Sequence, residues 1–498
     1  MDLCDVIERT EAVQVSGPTD PQIRSLAYDS RKASPGALFF ALPGEKLDGA
    51  LFANDAIQRG AVAVAASRAR PLGLDPHITW IELARGTERR ALALSSANFY
   101  GRPADGLKLV GVTGTNGKTT TAFLVDSILR TAGFTSGLFV TTGYRTPKAS
   151  RTAVNTTPES LGLQQMFAEV RDAGGTHAAL EASSHALAMD RLWGCHFAVA
   201  IFTNLTRDHL DFHNTFEEYF AMKRRLFEGT GAGVPSVGVM NADDPWASRL
   251  EGLAKRTLSY GLKGTPDVTV KKLVLSFSGL EFTAQTPVGK IEVCSPLVGR
   301  INVYNALAAI GAAIGLEIPP NKIEEGIAAL TLVPGRFQRI DEGQPFLVVV
   351  DYAHTDDALR NLISTARELS PSGRIITVFG AGGERDRTKR PMMGEAAGSL
   401  SNLVVLTSDN PRSEDPLRII NDVVVGLQKV NAKYRIEPDR ARALEIALDE
   451  AQSGDIVLLA GKGHETTQVL RDQTVEFDDR EKARDLLRRR GFSKAPAG

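Results

Sequence analysis

Short apolar runs that end in small or polar residues recur along the chain. A run of four to six apolar residues between helical stretches is typical of a strand buried on both faces of a parallel sheet. The runs predict three strands in the middle of the chain and four nearer its end, at 109–112, 178–181, 198–202, 346–350, 375–379, 403–406 and 456–460. Strands that alternate with helices in this way predict an α/β protein with mostly parallel sheets.

Clusters of turn-forming residues divide this pattern into three parts. One cluster lies at 101–106 (Gly-Arg-Pro-Ala-Asp-Gly) and another at 333–337 (Val-Pro-Gly-Arg-Phe). A chain of 498 residues is long enough for about three domains. We therefore expect domains at 1–106, 107–336 and 337–498, with the second turn acting as a hinge.

The composition narrows the class of protein. Apolar residues make up 43% of the chain and charged residues 23%, as in ordinary soluble proteins. The formal net charge of −1 gives no sign of a basic surface for nucleic acid or an anionic membrane. No apolar run reaches the ~18 residues of a membrane span. Three widely spaced cysteines and an acidic N-terminus favour the cytosol. We expect a cytoplasmic enzyme that acts on small molecules.

A glycine-rich loop between a strand and a helix carries the clearest chemical signal. It follows the run at 109–112 and reads Gly114-Thr115-Asn116-Gly117-Lys118-Thr119-Thr120, before an apolar helical pattern that starts at Ala122. Such a loop points backbone N–H groups and a helix N-terminus at a phosphate. Lys118 can reach the terminal phosphates, and the Thr119 hydroxyl can ligate Mg²⁺. Val112 stands where the full P-loop pattern has glycine, so this is the shorter GxxGK[ST] form. The loop predicts nucleotide binding; a loop without function is the alternative.

Two further strand ends offer metal ligands. Glu181 ends the run at 178–181, and Asp208-His209-Leu210-Asp211 follows the run at 198–202. A carboxylate in the same sheet as the P-loop is well placed to hold Mg²⁺, although a capping or turn glutamate is the alternative. Lys223, between Met222 and two arginines, reads by composition as part of a solvated helix face.

The last third of the chain predicts a second binding surface. All four of its apolar runs end in polar segments, and ligands of parallel sheets bind beyond the carboxyl ends of the strands. In Asp409-Asn410-Pro411-Arg412 the arginine offers a planar fork for a carboxylate, and a plain turn remains the alternative. The segment 382–387, which contains Arg385, is either a second anion loop or a flexible charged loop.

Taken together, these motifs resemble the Mur ligase family of bacterial cell-wall synthesis. The resemblance runs from about residue 25 to residue 485. The motifs that carry it lie at 29–31, 43–49, 114–120, 155–159, 181–185, 204–211, 299–305, 334–337, 351–355, 409–412 and 461–465.

The resemblance implies a UDP-binding N-domain, a central ATPase domain and a C-terminal Rossmann-like domain. It implies that the ATP site is formed by Gly114–Thr120 with Asn302, Arg336 and Asp351. The UDP-linked substrate would meet Ser30, Glu45, Lys46, Leu47, Asn155, Thr156, Thr157, Ser183 and Arg191. Magnesium would be held by Thr119, Glu181, His209 and a carbamylated Lys223. Met189 stands where many relatives carry glutamine.

The resemblance also implies the reaction. It is the ATP-dependent addition of meso-2,6-diaminopimelate to UDP-N-acetylmuramoyl-L-alanyl-D-glutamate through an acyl phosphate, in cytoplasmic peptidoglycan synthesis. Lys118, Lys223 and His209 would be catalytic, in a protein that we expect to be a monomer. The diaminopimelate pocket would consist of Arg385, Asp409, Asn410, Pro411, Arg412, Gly461 and Glu465.

Three other functions remain open at this point. They are the same ligation with L-lysine, folylpolyglutamate synthesis, and a regulatory protein built on an inactive ligase scaffold. Residues 1–106 argue against the folate enzymes, which lack that domain. The joint presence of Lys118, Thr119, Glu181, His209 and Lys223 argues against an inactive scaffold.

Overall fold

The computed structural model describes residues 1–44 and 47–493. Its first part is a five-stranded sheet in the order β1-β5-β4-β3-β2, parallel except for the β1–β5 pair. Apolar clusters lie on both sides of this sheet. The elements are α1 (Leu3–Val6), β1 (Ala12–Ser16), β2 (Ser25–Ala27), β3 (Ala37–Phe40), α2 (Ala53–Gln58), β4 (Ala61–Ala66), β5 (Thr79–Leu83) and α3 (Glu88–Phe99).

The middle part is built on an eight-stranded sheet in the order β13-β12-β11-β6-β10-β7-β8-β9. Its first six strands are parallel, and β8 and β9 extend it antiparallel. Its elements are β6 (Lys108–Thr113), α4 (Lys118–Thr131), β7 (Ser136–Val140), β8 (Gly143–Arg145), β9 (Ser150–Arg151), α5 (Ser160–Asp172), β10 (His177–Glu181), α6 (Ser184–Ala188), β11 (Phe197–Phe202), α7 (Leu210–His213), α8 (Phe216–Glu228), β12 (Val237–Asn241) and β13 (Arg256–Tyr260).

A three-stranded antiparallel sheet and two helices complete this part. They are β14 (Thr269–Ser276), β15 (Gly279–Thr286), β16 (Gly289–Ser295), α9 (Arg300–Gly315) and α10 (Pro320–Ala329). Helix α9 is rich in alanine and buried on nearly all sides, because it packs between the large sheet and α4. Small side chains allow this close packing: a Cβ on Gly311 would lie 2.8 Å from Val239 Cγ1.

The last part is a six-stranded sheet in the order β17-β18-β22-β19-β20-β21, parallel except for β17. Apolar clusters cover both of its faces. Its elements are β17 (Gln338–Ile340), β18 (Leu347–Asp351), α11 (Asp356–Leu369), β19 (Ile375–Phe379), α12 (Lys389–Leu400), β20 (Leu403–Leu406), α13 (Pro416–Lys429), β21 (Tyr434–Ile436), α14 (Arg440–Glu450), β22 (Ile456–Ala460), β23 (Thr467–Val469), β24 (Thr474–Glu476) and α15 (Asp479–Arg489).

The predicted α/β class is confirmed, and each of the seven predicted strands is present to within a residue at either end. One boundary differs. Helix α4 begins at Lys118 and not near Ala122, because the threonines at its start are held by other elements: Thr119 Oγ1 donates to Glu181 and Thr121 Oγ1 to Asn305. Local propensity alone gives no sign of such contacts. Among the described residues, no helix is both long and apolar enough to cross a membrane.

Candidate active site

A cavity lies between the carboxyl ends of β6 and β10 and the C-terminal sheet. The P-loop forms one wall, and the ends of β18 and α11 form the opposite wall. Two glycines allow the loop its shape: Gly114 and Gly117 have φ of +142° and +86°. A Cβ on Gly114 would overlap Thr203 Oγ1, and one on Gly117 would overlap Asn305 Oδ1. These two positions therefore require glycine for conformation and for space.

Lys118 folds back over the loop that precedes it. Its Nζ donates to the carbonyl oxygens of Gly114 at 3.0 Å and Thr115 at 2.7 Å. Burial lowers the pKa of Lys118, while Glu181 and Asp208 oppose that shift. The ammonium therefore lies in a position where a phosphate oxygen could replace the carbonyl acceptors.

Glu181 is buried at the tip of β10. Its Oε1 accepts from Thr119 Oγ1 at 2.8 Å, from Thr141 N at 2.8 Å and from Thr141 Oγ1 at 3.0 Å. Sequence reasoning missed Thr141, although it follows β7 directly and β7 is the neighbour of β10. The sequence signal for Thr141 was its position as a polar residue directly after an apolar run.

Asp208 and His209 meet the C-terminal domain at the edge of the cavity. An oxygen of Asp208 lies 3.3 Å from His209 Nε2, 3.8 Å from His354 Nε2 and 3.6 Å from Lys389 Nζ. Burial would raise the pKa of Asp208, but these three neighbours lower it below its usual range. Burial lowers the pKa of His209 to about 3, so its ring is neutral. Lys389 was not found from sequence.

Lys223 is buried, so its interpretation from composition as a solvated residue was wrong. Its Nζ donates to Gly114 O at 2.7 Å and lies 4.2 Å from the centre of the Tyr219 ring. The pKa of Lys223 is well below its usual value, because of burial and then of Lys118. The signal was present in the sequence, since Tyr219, Lys223 and Leu226 share one buried face of α8.

The donor chemistry of this region fits a magnesium ion. Glu181 offers a carboxylate, Thr119 a hydroxyl and His209 a neutral ring nitrogen, and a neutral Lys223 amine can react with carbon dioxide to give a further carboxylate. Across residues 1–44 and 47–493, no three His, Cys, Asp or Glu side chains form a preformed metal site. An ion held here would draw on substrate phosphates, as Mg²⁺ commonly does.

The three other predicted ATP residues line the same cavity. Asn302 Oδ1 accepts from Asn305 Nδ2 at 2.9 Å, next to the P-loop. Arg336 donates through Nη2 to Thr119 Oγ1 at 3.1 Å, and its guanidinium carbon lies 4.6 Å from the centre of the Tyr352 ring. Asp351 accepts from the backbone N–H of Phe337 at 2.7 Å; burial raises the pKa of Asp351, and Arg336 opposes this.

Five of the residues predicted to bind the UDP-linked substrate lie together beside Glu181. Thr157 Oγ1 donates to Glu181 O at 2.7 Å and lies 3.1 Å from Ser183 Oγ, and Arg191 Nη1 donates to Thr157 O at 3.0 Å. Thr156 Oγ1 accepts from Thr141 Oγ1 at 3.3 Å. The N–H of Asn155 donates to Tyr144 Oη at 3.0 Å.

The same cluster contains Glu159 and Arg89, to which sequence reasoning assigned no role. Glu159 Oε2 lies 3.2 Å from Arg191 Nε and accepts from Arg89 Nη1 at 3.3 Å. Arg89 belongs to the N-terminal part of the chain, so the first two parts meet at this cluster. Arg191 also points Nη2 at Met189 Sδ, 3.5 Å away, where a glutamine would offer an oxygen.

The rest of the predicted UDP-binding set lies away from the cavity, in the N-terminal domain. Ser30 is buried at the start of a short 3₁₀ helix, and its hydrogen bond contributes most to lowering the pKa of Asp55. Leu47 is exposed. Neither Ser30 nor Leu47 is among the described residues that line the cavity. Glu45 and Lys46 lie outside the described residues.

The predicted diaminopimelate residues gather where the strand order brings the carboxyl ends of β22, β19 and β20 side by side. Asn410 Nδ2 donates to Glu465 Oε2 at 2.9 Å, and Arg412 Nη1 donates to Gly383 O at 2.6 Å. Gly461 lies against Asp409: a Cβ there would be 2.7 Å from Asp409 Oδ2. Beside them lie Pro411, whose carbonyl is close to Gly383, and Arg385, whose Nη1 is 4.0 Å from Asp211 Oδ2. None of this group is among the described residues that line the cavity.

Direct contacts connect the C-terminal domain to the P-loop and to the segment after β11. Asn116 Nδ2 donates to Asp357 Oδ2 at 2.7 Å, and Thr206 Oγ1 donates to the same oxygen at 3.2 Å. Arg207 Nη2 lies 3.3 Å from Asp386 and donates to Thr388 Oγ1 at 2.6 Å. The central and C-terminal domains are therefore in contact around the cavity.

A P-loop on one parallel sheet, facing the strand tips of another, defines a nucleotide-dependent enzyme with a composite substrate site. Three family descriptions match the chain: "Mur ligase family, catalytic domain" over 22–85, "Mur ligase middle domain" over 112–313 and "Mur ligase, glutamate ligase domain" over 335–463. The chain belongs to the Mur ligase family, and it is an ATP-dependent ligase.

Individual relatives extend over the whole chain. A UDP-N-acetylmuramoyl-L-alanyl-D-glutamate–2,6-diaminopimelate ligase from Solibacter usitatus is 52% identical over 97% of this chain and 98% of its own length. A ligase of the same name from Geobacillus thermodenitrificans is 42% identical, covering 98% of this chain and 100% of its own length. A solved structure of a ligase with that name matches with a TM-score of 0.67 at 33% identity, covering 99% of each chain.

Proposed function

We propose that this ligase joins meso-2,6-diaminopimelate to UDP-N-acetylmuramoyl-L-alanyl-D-glutamate with ATP, in cytoplasmic peptidoglycan precursor synthesis. The observation that carries the proposal is the 52% identity, over nearly the full chain, to a ligase named for these substrates. The cavity supports it, because the P-loop and Arg336 face it from one side, and Asp351 and His354 face it from the C-terminal domain. The enzyme is proposed to act as a monomer.

The first step activates a carboxylate. A side-chain carboxylate oxygen of the D-glutamyl residue attacks the γ-phosphorus of ATP in line, the bond to the β–γ bridging oxygen breaks, and ADP leaves. Lys118 and the P-loop N–H groups stabilise the charge on the transferred phosphoryl group, and Arg336, which already reaches Thr119, adds a second cation. Thr119, Glu181, His209 and carbamylated Lys223 would hold Mg²⁺, which offsets phosphate charge.

The second step forms the amide. The neutral amine of diaminopimelate attacks the acyl carbon, the bond from that carbon to the phosphate oxygen breaks, and the proton lost by the nitrogen leaves with the phosphate as HPO4²⁻. An acyl phosphate hydrolyses in water, so the contacts of Asp357 and Arg207 that connect the two domains matter for excluding solvent. A neutral His209 suits metal ligation better than proton transfer, since its pKa is about 3.

Arg412 is proposed to select the amino acid. Diaminopimelate carries a second carboxylate where lysine carries only hydrogen, and a guanidinium can bind that carboxylate through two hydrogen bonds. With lysine in the pocket, the Arg412 guanidinium would lack this anion, which penalises lysine. Asp409 and Glu465 would bind the ammonium group beside that carboxylate.

The test is phosphate release from ATP and UDP-N-acetylmuramoyl-L-alanyl-D-glutamate with Mg²⁺, comparing meso-diaminopimelate with L-lysine. We expect turnover with diaminopimelate and little with lysine. Equal turnover with lysine would overturn the role of Arg412 and leave the ligation standing. Absence of turnover with either amino acid, in protein that binds ATP, would overturn the proposed reaction.

A further inference from the structure

Lys462 is a cation buried beneath the amino-acid pocket, and its side chain is 0% exposed. Its Nζ donates to Thr467 O at 2.7 Å, to Glu465 Oε2 at 3.0 Å and to Asn410 Oδ1 at 3.3 Å. An ammonium has three N–H donors, and here each meets an oxygen. Such a group is costly to bury unless all its donors are paired, so its position is narrowly determined.

These bonds fix the orientation of Asn410. The amide oxygen accepts from Lys462 and also from the N–H of Val469 at 2.9 Å. Two donors on one side require that the oxygen, and not the NH₂ group, face them. The NH₂ group is thereby directed at Glu465 Oε2, 2.9 Å away.

The same cation fixes the carboxylate of Glu465. Oxygen Oε2 accepts from both Lys462 and Asn410, which holds the plane of the carboxylate while 29% of the side chain stays exposed. Asn410 follows β20 and Glu465 follows β22, so nothing in the local chain aligns the two side chains. Lys462 connects them from below.

We propose that Lys462 is a positioning residue for the incoming amino acid: it holds Asn410 and Glu465 in the orientation that binds the diamino acid. The proposal rests on the proposed function, because those two residues are the ones expected to contact diaminopimelate. Lys462 itself touches no reacting atom. Its loss should therefore weaken binding of the amino acid and leave the ATP and UDP-substrate sites unchanged.

A cation that only stabilises the fold would behave differently, and the same sheet supplies such a control in Arg374, whose side chain is partly exposed. Arg374 precedes β19, at the opposite edge of the sheet from the pocket, and its Nε lies 3.1 Å from Asp455 Oδ2. Its Nη2 donates to Glu450 O at 2.8 Å. Arg374 thus connects the amino ends of β19 and β22. Lys462 instead connects residues that lie beyond the carboxyl ends of the strands.

The experiment compares Lys462→Met and Arg374→Met in the full-length protein. For Lys462→Met we expect KM for diaminopimelate to rise about tenfold, the size of one lost charged hydrogen bond, with KM for ATP and for the UDP-substrate within twofold of wild type. Arg374→Met should lower the unfolding temperature without changing any KM. An unchanged KM for diaminopimelate, or an equal rise in all three KM values, would overturn the proposal.

Two further measurements cover the other outcomes. If Lys462→Met does not fold, Lys462→Arg keeps the charge but not the three-oxygen geometry, and the same selective rise in KM is expected; its absence counts against the proposal. If wild-type protein ligates no amino acid, the proposed function fails separately. Crystal structures of wild type and variant then decide, and an Asn410–Glu465 distance still at 2.9 Å would overturn the positioning role.

Discussion

The P-loop and the proposed amino-acid pocket both lie beyond the carboxyl ends of parallel strands, but they are assembled differently. The P-loop consists of seven consecutive residues. Two glycines give it its backbone conformation, and its last residues form the start of α4. The pocket takes residues from three strand tips, 382–385, 409–412 and 461–465, which come together only because β22 lies between β18 and β19. A contiguous loop binds mainly through its backbone, whereas a composite pocket depends on side chains that other side chains must hold in place.

Buried cations hold the segments of the pocket in place. Arg440 donates to the carbonyl oxygens of Ser408 at 3.3 Å and Ala460 at 3.0 Å, directly before the two segments that carry Asp409 and Gly461. Its charge is matched by Asp479 in a pair that is 0% exposed on both sides. The P-loop has a similar support in buried Lys223, which donates to Gly114 O at 2.7 Å. Lys118 is the lysine of the loop itself, so we expect the sensitivity of the loop to mutation to be greatest there.

Lys118→Met tests that expectation and should have the largest effect. The change removes the cation that we expect to bind the phosphates but keeps the backbone N–H groups of the loop, so we expect phosphate release to fall about 1000-fold. KM for the amino acid should stay within a few fold of wild type, because the pocket is built by other strands. Turnover above a tenth of wild type would show that Lys118 is not part of the phosphate site.

Arg412→Met tests the pocket. We expect KM for diaminopimelate to rise about 100-fold through loss of a bidentate carboxylate contact, with KM for lysine nearly unchanged. Arg418→Met, at an exposed arginine on α13, is the control for charge and should change neither value. Parallel losses with both amino acids would mean that Arg412 supports the loop around Gly383 and does not recognise substrate.

Asp357→Ala tests the contact between the P-loop and the C-terminal domain. The variant removes the acceptor of Asn116 and Thr206, so one contact between the domains is lost, while those of Arg207 remain. We expect kcat/KM for ATP to fall about fivefold, the size of a modest hydrogen-bond loss. Asp356→Ala changes the neighbouring carboxylate in the same first turn of α11 and should have a smaller effect; equal effects would point to the helix N-terminus.

What could be predicted from the sequence also differs between the contiguous P-loop and the composite pocket. The P-loop, Glu181 and the strand tips follow from local pattern, since each is an apolar run with a polar end. Lys223 shows the value of periodicity over composition, because its neighbours are basic but its helix face is buried. Thr141, Lys389 and the role of Lys462 depend on which strands and loops are neighbours, and residue spacing alone does not determine strand order. The contact of Arg89 with Glu159 depends on how two domains pack together, which the local pattern does not show.

The smallest effect we expect lies at the other end of β10 from Glu181, at His177. Its ring packs on Phe134 at 4.2 Å, and burial, followed by Lys108, lowers its pKa to about 4. An unfolded histidine takes up a proton near pH 6.5, so falling pH favours the unfolded state until the folded ring also protonates near pH 4. Between pH 7.5 and 6.0 the contribution of His177 to the free energy of unfolding should fall by about 0.8 kcal/mol.

His177→Gln removes this pH dependence. The urea midpoint of unfolding, measured at both pH values, should therefore shift less in the variant than in wild type. Because other buried histidines titrate with the same sign, only the difference between the two proteins counts, and equal shifts would mean that His177 protonates normally in the folded chain.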